Sequence, residues 1–222
     1  MATAFGTLEA SSFRIPAGHA WIDGDLSVPE DPKGLVVFAH GTGSARHNPG
    51  DQAVAAYLNG QGFATLLLDL LTPHEKSLDA SAGASGLDAP MLAARLVDAT
   101  EWLSWNRDTA TLKVGYLAAG SAAAAALMSA ADLPSLVQAV VSRGGRPDPT
   151  GRSVARVKAP TLLIAGGLDE AAVEANRAVL ELMTCEKSME IIHGSGNGFE
   201  EPGALEEAAH LARAWFDRHS AA

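Results

Sequence analysis

A turn made almost entirely of small residues, 118–122 (AAGSA), joins an apolar run to an alanine-rich stretch. The run 112–117 predicts a buried strand, and 122–131 predicts a helix. So little side-chain bulk at such a bend is typical of a nucleophile elbow, in which a strained turn lifts one side chain above the carboxyl end of a parallel sheet. The N–H groups that follow would then face a developing oxyanion.

Three polar side chains lie at or beyond the ends of predicted elements, and each has two interpretations. Ser121 could be a nucleophile, or its hydroxyl could cap and pack in the first helical turn. His193 could act as a base, or it could satisfy neighbouring backbone groups at the end of a strand. Asp169 precedes a predicted helix, so it is either a helix N-cap or a member of the site.

Strands and helices alternate along the chain, and these elements must position the polar groups. Further apolar runs predict buried strands at 35–39, 63–68, 137–142, 161–165 and 189–192. Amphipathic stretches predict helices at 51–59, 90–105, 170–183 and 203–219. The alternation predicts an α/β fold, a doubly wound and mostly parallel sheet flanked by helices. Its ligands should gather where loops leave the carboxyl ends of the strands.

The remaining segments predict less regular structure. Residues 13–28 predict two short antiparallel strands, with Asp23-Gly24 as the hairpin turn and 16–18 as a second possible bend. Residues 1–12 predict a loose lead-in, and 72–88 an irregular segment over the end of the sheet. The 222 residues are enough for a single α/β domain, 1–222, with a full core.

Composition narrows the classes of function. The formal charge of −10 disfavours nucleic acid and anionic membrane as partners. No apolar run approaches the ~20 residues that span a bilayer, and no signal-peptide pattern is present. The single Cys185 fits a reducing compartment and lies outside any predicted site. Scattered histidines and the lack of a phosphate-binding glycine motif predict neither a metal nor a cofactor. We therefore expect a cytoplasmic protein with a small-molecule ligand or substrate.

Five segments carry a family resemblance: LVVFAHGTGSARHNPG, ATLLLDLLTP, AVVSRGGRPD, PTLLIAGGLDE and GFEEPGALEEAA. They resemble α/β-hydrolases, specifically the small bacterial proteins similar to dienelactone hydrolases, over nearly the whole chain from about 13 to 219. The resemblance implies the α/β-hydrolase fold with a minimal cap domain or none. It also implies a triad: a Ser or Cys nucleophile at the elbow, an acid after a later strand, and a His after the last strand.

Two of the three triad positions are replaced in this chain. Alignment of VGYLAAGSA with the family's elbow strand places Gly120 at the nucleophile position. The segment GGLDE places Asp169 at the acid position, and GSGNGFEEPG places Asn197 where the family has His. The acid alone cannot supply a nucleophile.

The resemblance also implies the groups that would hold an oxyanion. One donor would be the N–H of Ser121. The second would come from the loop of His40, Gly41 and Thr42, whose plainer interpretation is a glycine-rich turn. Three arginines could form an anion-binding rim: Arg46, Arg143 and Arg146. The alternative is that they are solvated surface side chains.

Three functional hypotheses follow. In the first, the fold has abandoned covalent chemistry and performs acid–base or oxyanion-type chemistry on a small carbonyl compound. In the second, a shifted set, Ser121, His193 and Asp169, keeps it a serine hydrolase or esterase. In the third, the pocket binds a small molecule or partner without catalysis. Since fold alone does not decide function, the site must choose among them.

Overall fold

An eight-stranded sheet forms the centre of the computed structural model, which describes residues 8–40, 46–82, 88–147 and 153–220. The strands are β1 (Ser11–Ala17), β2 (Ala20–Ser27), β3 (Gly34–His40), β4 (Phe63–Asp69), β5 (Val114–Ala119), β6 (Val137–Arg143), β7 (Thr161–Gly166) and β8 (Lys187–Ile192). Their order is β1-β2-β4-β3-β5-β6-β7-β8. The pairs from β4 to β8 are parallel, whereas β1–β2 and β2–β4 are antiparallel. The mostly parallel sheet predicted from the alternation is confirmed.

Six helices cover the two faces of this sheet in the described residues. They are α1 (Pro49–Gly60), α2 (Pro73–Ala82), α3 (Ala89–Trp105), α4 (Ala122–Asp132), α5 (Glu170–Leu182) and α6 (Ala204–His219). Helices α1 and α6 pack on one hydrophobic cluster, and α3, α4 and α5 pack on a second. None of these helices is both long and apolar enough to cross a membrane.

Strand β3 shows why the central strands read as unbroken apolar runs. Leu35, Val37 and Ala39 belong to the cluster beneath α3 and α4, while Val36 and Phe38 belong to the cluster beneath α1 and α6. Because successive side chains point to opposite faces, a strand covered on both sides needs apolar residues at every position.

The N-terminal hairpin turns at the second of the two predicted bends, 16–18, and the preferred turn at Asp23-Gly24 is wrong. Its turn lies at Gly18, which has a φ of +58°, and not at Asp23-Gly24, which pairs within β2. Gly24 serves close packing, because a Cβ there would lie 2.9 Å from the Leu66 Cδ1 atom. Strand β1 also begins at Ser11, inside the expected lead-in. Residues 1–7 lie outside the described residues.

The segment predicted to be irregular contains α2, so that prediction is wrong over 73–82. A capping box starts the helix: the Thr72 N–H donates to Glu75 Oε2 at 2.8 Å, and the Glu75 N–H donates to Thr72 Oγ1 at 3.3 Å. Arg95 on α3 then donates to both Glu75 carboxylate oxygens, each at 2.7 Å. These bonds, above all those from Arg95, lower the pKa of Glu75 to about 2. Residues 83–87 lie outside the described residues.

A buried hydroxyl chain fixes β5 against the helices that flank the elbow. Thr100 Oγ1 donates to the Leu96 carbonyl at 2.7 Å, so it accepts from the Tyr116 hydroxyl, 2.6 Å away. Tyr116 in turn accepts from Ser129 Oγ at 2.9 Å. Burial raises the pKa of Tyr116 to about 12. The strand that carries the elbow is therefore tied to both α3 and α4.

Candidate functional site

The turn after β5 keeps the backbone shape of an elbow without a side chain at its apex. Gly120 has a φ of +57°, in the left-handed region that side chains rarely adopt. Its N–H donates to the Arg143 carbonyl at 3.4 Å, and its own carbonyl accepts from the Ala123 N–H at 3.3 Å. A Cβ at Gly120 would meet nothing within 4 Å. The space that a nucleophilic side chain would occupy is open.

Ser121 is exposed at the start of α4 and has helical backbone angles. Its side chain makes no capping hydrogen bond. The capping interpretation of this hydroxyl is therefore not realised by a hydrogen bond. Its N–H lies in the first turn of α4, where backbone donors have no partner within the helix.

Asp169 lies between β7 and α5, and its two carboxylate oxygens accept hydrogen bonds from different partners. Oδ1 accepts from the Ala172 N–H at 3.0 Å, which makes Asp169 the N-cap of α5. Oδ2 accepts from Arg146 at 2.5 Å and from the Asn197 amide nitrogen at 2.9 Å. The bond from Arg146 and that from Ala172 hold the pKa of Asp169 below its usual value. The residue is both a cap and part of a polar cluster.

Asn197 uses both ends of its amide. Its Nδ2 donates to Asp169, and its Oδ1 accepts from the Gly166 N–H at 2.9 Å. The structure thus brings Asn197, aligned with the family's His, into contact with Asp169. An amide has no group that takes up a proton near neutral pH.

Hydrogen bonds between its own residues stabilise the loop that carries Asn197. Glu201 accepts from Ser195 Oγ at 2.7 Å and from the Gly196 N–H at 3.1 Å. The bond from Ser195, followed by that from Gly196, lowers the pKa of Glu201. Phe199 has a φ of +53° and is buried against the α1–α6 face. A non-glycine residue in this conformation persists only where its surroundings fix it.

Two glycines after β6 bring the elbow and the Asn197 loop to one place. A Cβ at Gly144 would collide with the Asn197 carbonyl. A Cβ at Gly145 would collide with Ala123, in the first turn after the elbow. Gly120 and Asn197 therefore lie at the same end of the sheet, on either side of this pair. Gly41 and Thr42 of the predicted oxyanion loop lie outside the described residues.

His193 is exposed just beyond β8 and makes no hydrogen bond within the described part of the chain. The partners of the Asp169 carboxylate are Arg146, Ala172 and Asn197, and His193 is not among them. The structure does not bring His193 into hydrogen-bond contact with the acid. The shifted set of Ser121, His193 and Asp169 stays a prediction.

A second polar cluster, which the sequence did not indicate, lies one strand away from the elbow. His40 Nδ1 lies 2.8 Å from Asp51 Oδ2, and Arg143 donates to Asp51 Oδ1. Asp51 is only 1% exposed, and Arg143 only 8%. The three residues come from β3, α1 and β6, so no local sequence pattern could have joined them.

The three arginines of the predicted rim are all paired with carboxylates. Arg46 donates to Asp69 at 3.1 Å and to Asp25 at 3.2 Å, while Arg143 and Arg146 hold Asp51 and Asp169. None of them is a free surface cation. The thiol of Cys185 is half-buried, and burial raises its pKa, as expected for an unreactive side chain.

Comparison with known proteins places this architecture in a class. A dienelactone hydrolase from Anabaena variabilis is 44% identical and superposes with a TM-score of 0.90, over 96% of this chain and 99% of that one. Est1E from Butyrivibrio proteoclasticus, 15% identical with a TM-score of 0.76 over 93% of this chain and 98% of its own, shares the fold. The same holds for the metagenomic dienelactone hydrolase-like promiscuous phosphotriesterase P91, 16% identical with a TM-score of 0.78 over 96% and 99%. No family model matches.

The fold is that of the α/β-hydrolases. At 44% identity along the whole of a related structure, the chain belongs to the dienelactone hydrolase family. Two curated Mycobacterium tuberculosis proteins, which carry the provisional name of phosphoribosyl transferase, are 47% identical over 212 residues, or 96% of this chain. The match covers 47% of their length, so the chain spans about half of each of them.

Proposed function

We propose that this member of the dienelactone hydrolase family does not hydrolyse esters and instead performs acid–base chemistry on a small carbonyl compound. One observation supports the proposal: Gly120, aligned with the nucleophile, is the left-handed residue after β5, and Asn197, aligned with the base, donates to Asp169. The backbone of the site is that of a hydrolase, and its covalent machinery is absent from these positions.

Hydrolysis through an acyl-enzyme requires a nucleophile and a base that act as a unit. Gly120 has no side chain to attack a carbonyl, and the Asn197 amide is engaged at both ends. Asp169 remains a carboxylate, but its lowered pKa makes it a poor proton acceptor. Water attack without an activated nucleophile would leave the reaction near its uncatalysed rate.

Stabilisation of an oxyanion depends on groups that side-chain replacement does not remove. The N–H groups at the start of α4, including that of Ser121, point out of the first helical turn, where the helix dipole favours negative charge. The open space over Gly120 leaves room for a carbonyl oxygen to approach them. Such donors act on any reaction that builds charge on a carbonyl oxygen, which includes enolisation as well as acyl transfer.

Proton transfer next to a carbonyl is therefore the chemistry that this site supports best. Its signature is exchange of carbon-bound hydrogen for deuterium in D₂O, followed by proton NMR with a panel of ketones, 2-oxo acids and thioesters. We expect saturable exchange with at least one class and p-nitrophenyl acetate hydrolysis at the background rate.

Each competing function gives a different result in the same experiment. Saturable ester hydrolysis that Ser121→Ala abolishes would replace the proposal with the shifted-triad hydrolase. Thermal stabilisation by a panel compound without exchange would replace it with a non-catalytic binder. Phosphoribosyl pyrophosphate with Mg²⁺ belongs in the stabilisation panel because of the provisional name of the M. tuberculosis relatives; stabilisation by it alone would point to that chemistry instead.

A further inference from the structure

The cluster of His40, Asp51 and Arg143 has the arrangement of a proton-transfer dyad. A carboxylate that is 1% exposed bridges an imidazole nitrogen and a guanidinium. Because an ionised carboxylate can only accept, the N–H at His40 Nδ1 donates its hydrogen bond to Asp51 Oδ2. In the neutral form of the ring, the second nitrogen, Nε2, carries a lone pair, and it makes no hydrogen bond within the described residues. The His40 side chain is 20% exposed, so solvent or a ligand can reach it.

Strand register places this dyad beside the elbow. His40 is the partner of Ala119 on β5, and Ala119 is the partner of Arg143 on β6. Neighbouring strands lie ~4.8 Å apart, and Ala119 immediately precedes Gly120. Asp51 therefore spans the end of the elbow strand, linking the residues on its two sides.

A carboxylate beside the dyad of His40 and Asp51, that of Asp69, has cationic partners of its own. Asp69 is the register partner of His40 on β4, and it is engaged by Lys76 at 2.7 Å and by Arg46 at 3.1 Å. Arg143 NH1 is buried and has no partner in the part of the chain that the structure describes. A buried guanidinium donor without a partner is costly unless a ligand or water completes it.

We propose that His40 is the proton-transfer group of this site, with Asp51 and Arg143 as positioning residues; the assignment rests on the proposed function. His40 Nε2 takes a proton from the carbon next to the carbonyl. The C–H electron pair forms a C=C bond, and the carbonyl π pair moves to the oxygen, giving an enolate. The imidazolium returns the proton to carbon, so the enolate reverts to the carbonyl compound or a double-bond isomer without an added co-reactant.

Exchange of carbon-bound hydrogen in D₂O tests this assignment with variants of the intact protein. We expect His40→Ala to lower the exchange rate constant by about 10²–10⁴-fold, the usual contribution of a positioned base. Asp51→Asn should lower it by at least about tenfold, because the ring loses its orienting acceptor. His210→Gln, on the outer side of α6, is the matched control and should exchange like the unmodified protein.

Two further readouts separate a catalytic role from a structural one. Added imidazole should restore exchange in His40→Ala but not in Asp51→Asn, since only the first variant has space for it. Nitrogen-15 NMR of labelled histidine should show a protonated Nδ1 and an unprotonated Nε2 for His40, a pattern that Asp51→Asn disturbs.

The outcomes distinguish the inference from the proposed function. If the unmodified protein and His40→Ala exchange at the same rate, the role of His40 is overturned and the proposed function stands. Loss of exchange in His40→Ala without imidazole rescue, in a variant that melts normally, would assign His40 a structural role. Absence of exchange by the unmodified protein with every compound class would overturn the proposed function and the inference together.

Discussion

Restoring the two missing groups should create an esterase. Gly120→Ser adds a hydroxyl at the elbow, where a Cβ meets nothing within 4 Å, so the cost is backbone strain at a φ of +57° and not a collision. Such strain costs about 1–3 kcal/mol. Asn197→His keeps a donor toward Asp169 but leaves the Gly166 N–H without its acceptor, which costs about 1–3 kcal/mol more.

The combined cost is about 2–6 kcal/mol, against about 5–15 kcal/mol of stability for a typical protein, so we expect the double variant to fold with a lowered melting temperature. For a chain of this size, the strain at Gly120 alone corresponds to a melting temperature lower by about 2–12 °C. Gly18→Ser is the matched control, because Gly18 has a φ of +58° and equally open space around its Cβ position. It should lose similar stability and gain no activity.

Hydrolysis of p-nitrophenyl acetate, measured well below each melting temperature, gives the functional readout. The double variant should exceed either single variant by at least about tenfold, because a positioned base contributes about 10²–10⁴-fold and a serine without a base stays protonated. Circular dichroism and thermal melts establish folding first. A folded double variant no faster than Gly120→Ser or Asn197→His alone would refute the assignment of these two positions.

Three stability predictions follow from particular contacts. Glu75→Gln should lower the melting temperature at pH 6, and the gap to the unmodified protein should close as pH falls from about 4.5 toward 2; a constant gap would contradict the lowered pKa of Glu75. Tyr116→Phe should cost about 1–3 kcal/mol in chemical denaturation, because it leaves buried hydroxyls without a partner, and an unchanged midpoint would show that the hydroxyl chain is not stabilising. Gly145→Ala should destabilise by about 1–3 kcal/mol, since its Cβ would lie 2.5 Å from Ser142 Oγ, whereas Gly196→Ala, with a nearest contact of 3.7 Å, should melt almost normally.

The sequence predicted those features that depend on local pattern. Unbroken apolar runs such as 35–39 identified strands covered on both faces, because a parallel sheet between two helix layers has no polar side. The spacing of VGYLAAGSA put Gly120 at the turn, where the structure has a left-handed backbone between β5 and α4. The choice of Gly120 over Ser121 as the nucleophile position rests on the family alignment and stays a prediction.

Other features depended on partners far away in the chain. The polar composition of α2 suggested a loop, but Glu75 in its first turn is held by Arg95, 20 residues further along the chain. Asp23-Gly24 has the composition of a hairpin turn, and packing against Leu66 overrides that local preference.

The dyad beside the elbow had no sequence signal at all. Asp51 and Arg143 are 92 residues apart, and only the assembled fold brings the start of α1 to the end of β6. His40 was predicted to belong to a loop that donates through its backbone, and its side chain proved to be paired. These buried charges come from different strands and helices, so their pairing cannot be predicted from any single segment of the sequence.

The intact mass of the protein after treatment with a fluorophosphonate probe tests most directly whether an activated nucleophile is present. The probe forms an adduct only with an activated hydroxyl or thiol. The proposed replacement of the triad residues by Gly120 and Asn197 predicts an unchanged mass, whereas the folded Gly120→Ser, Asn197→His variant should gain one adduct. An adduct on the unmodified protein that maps to Ser121 would contradict the loss of covalent chemistry at this elbow.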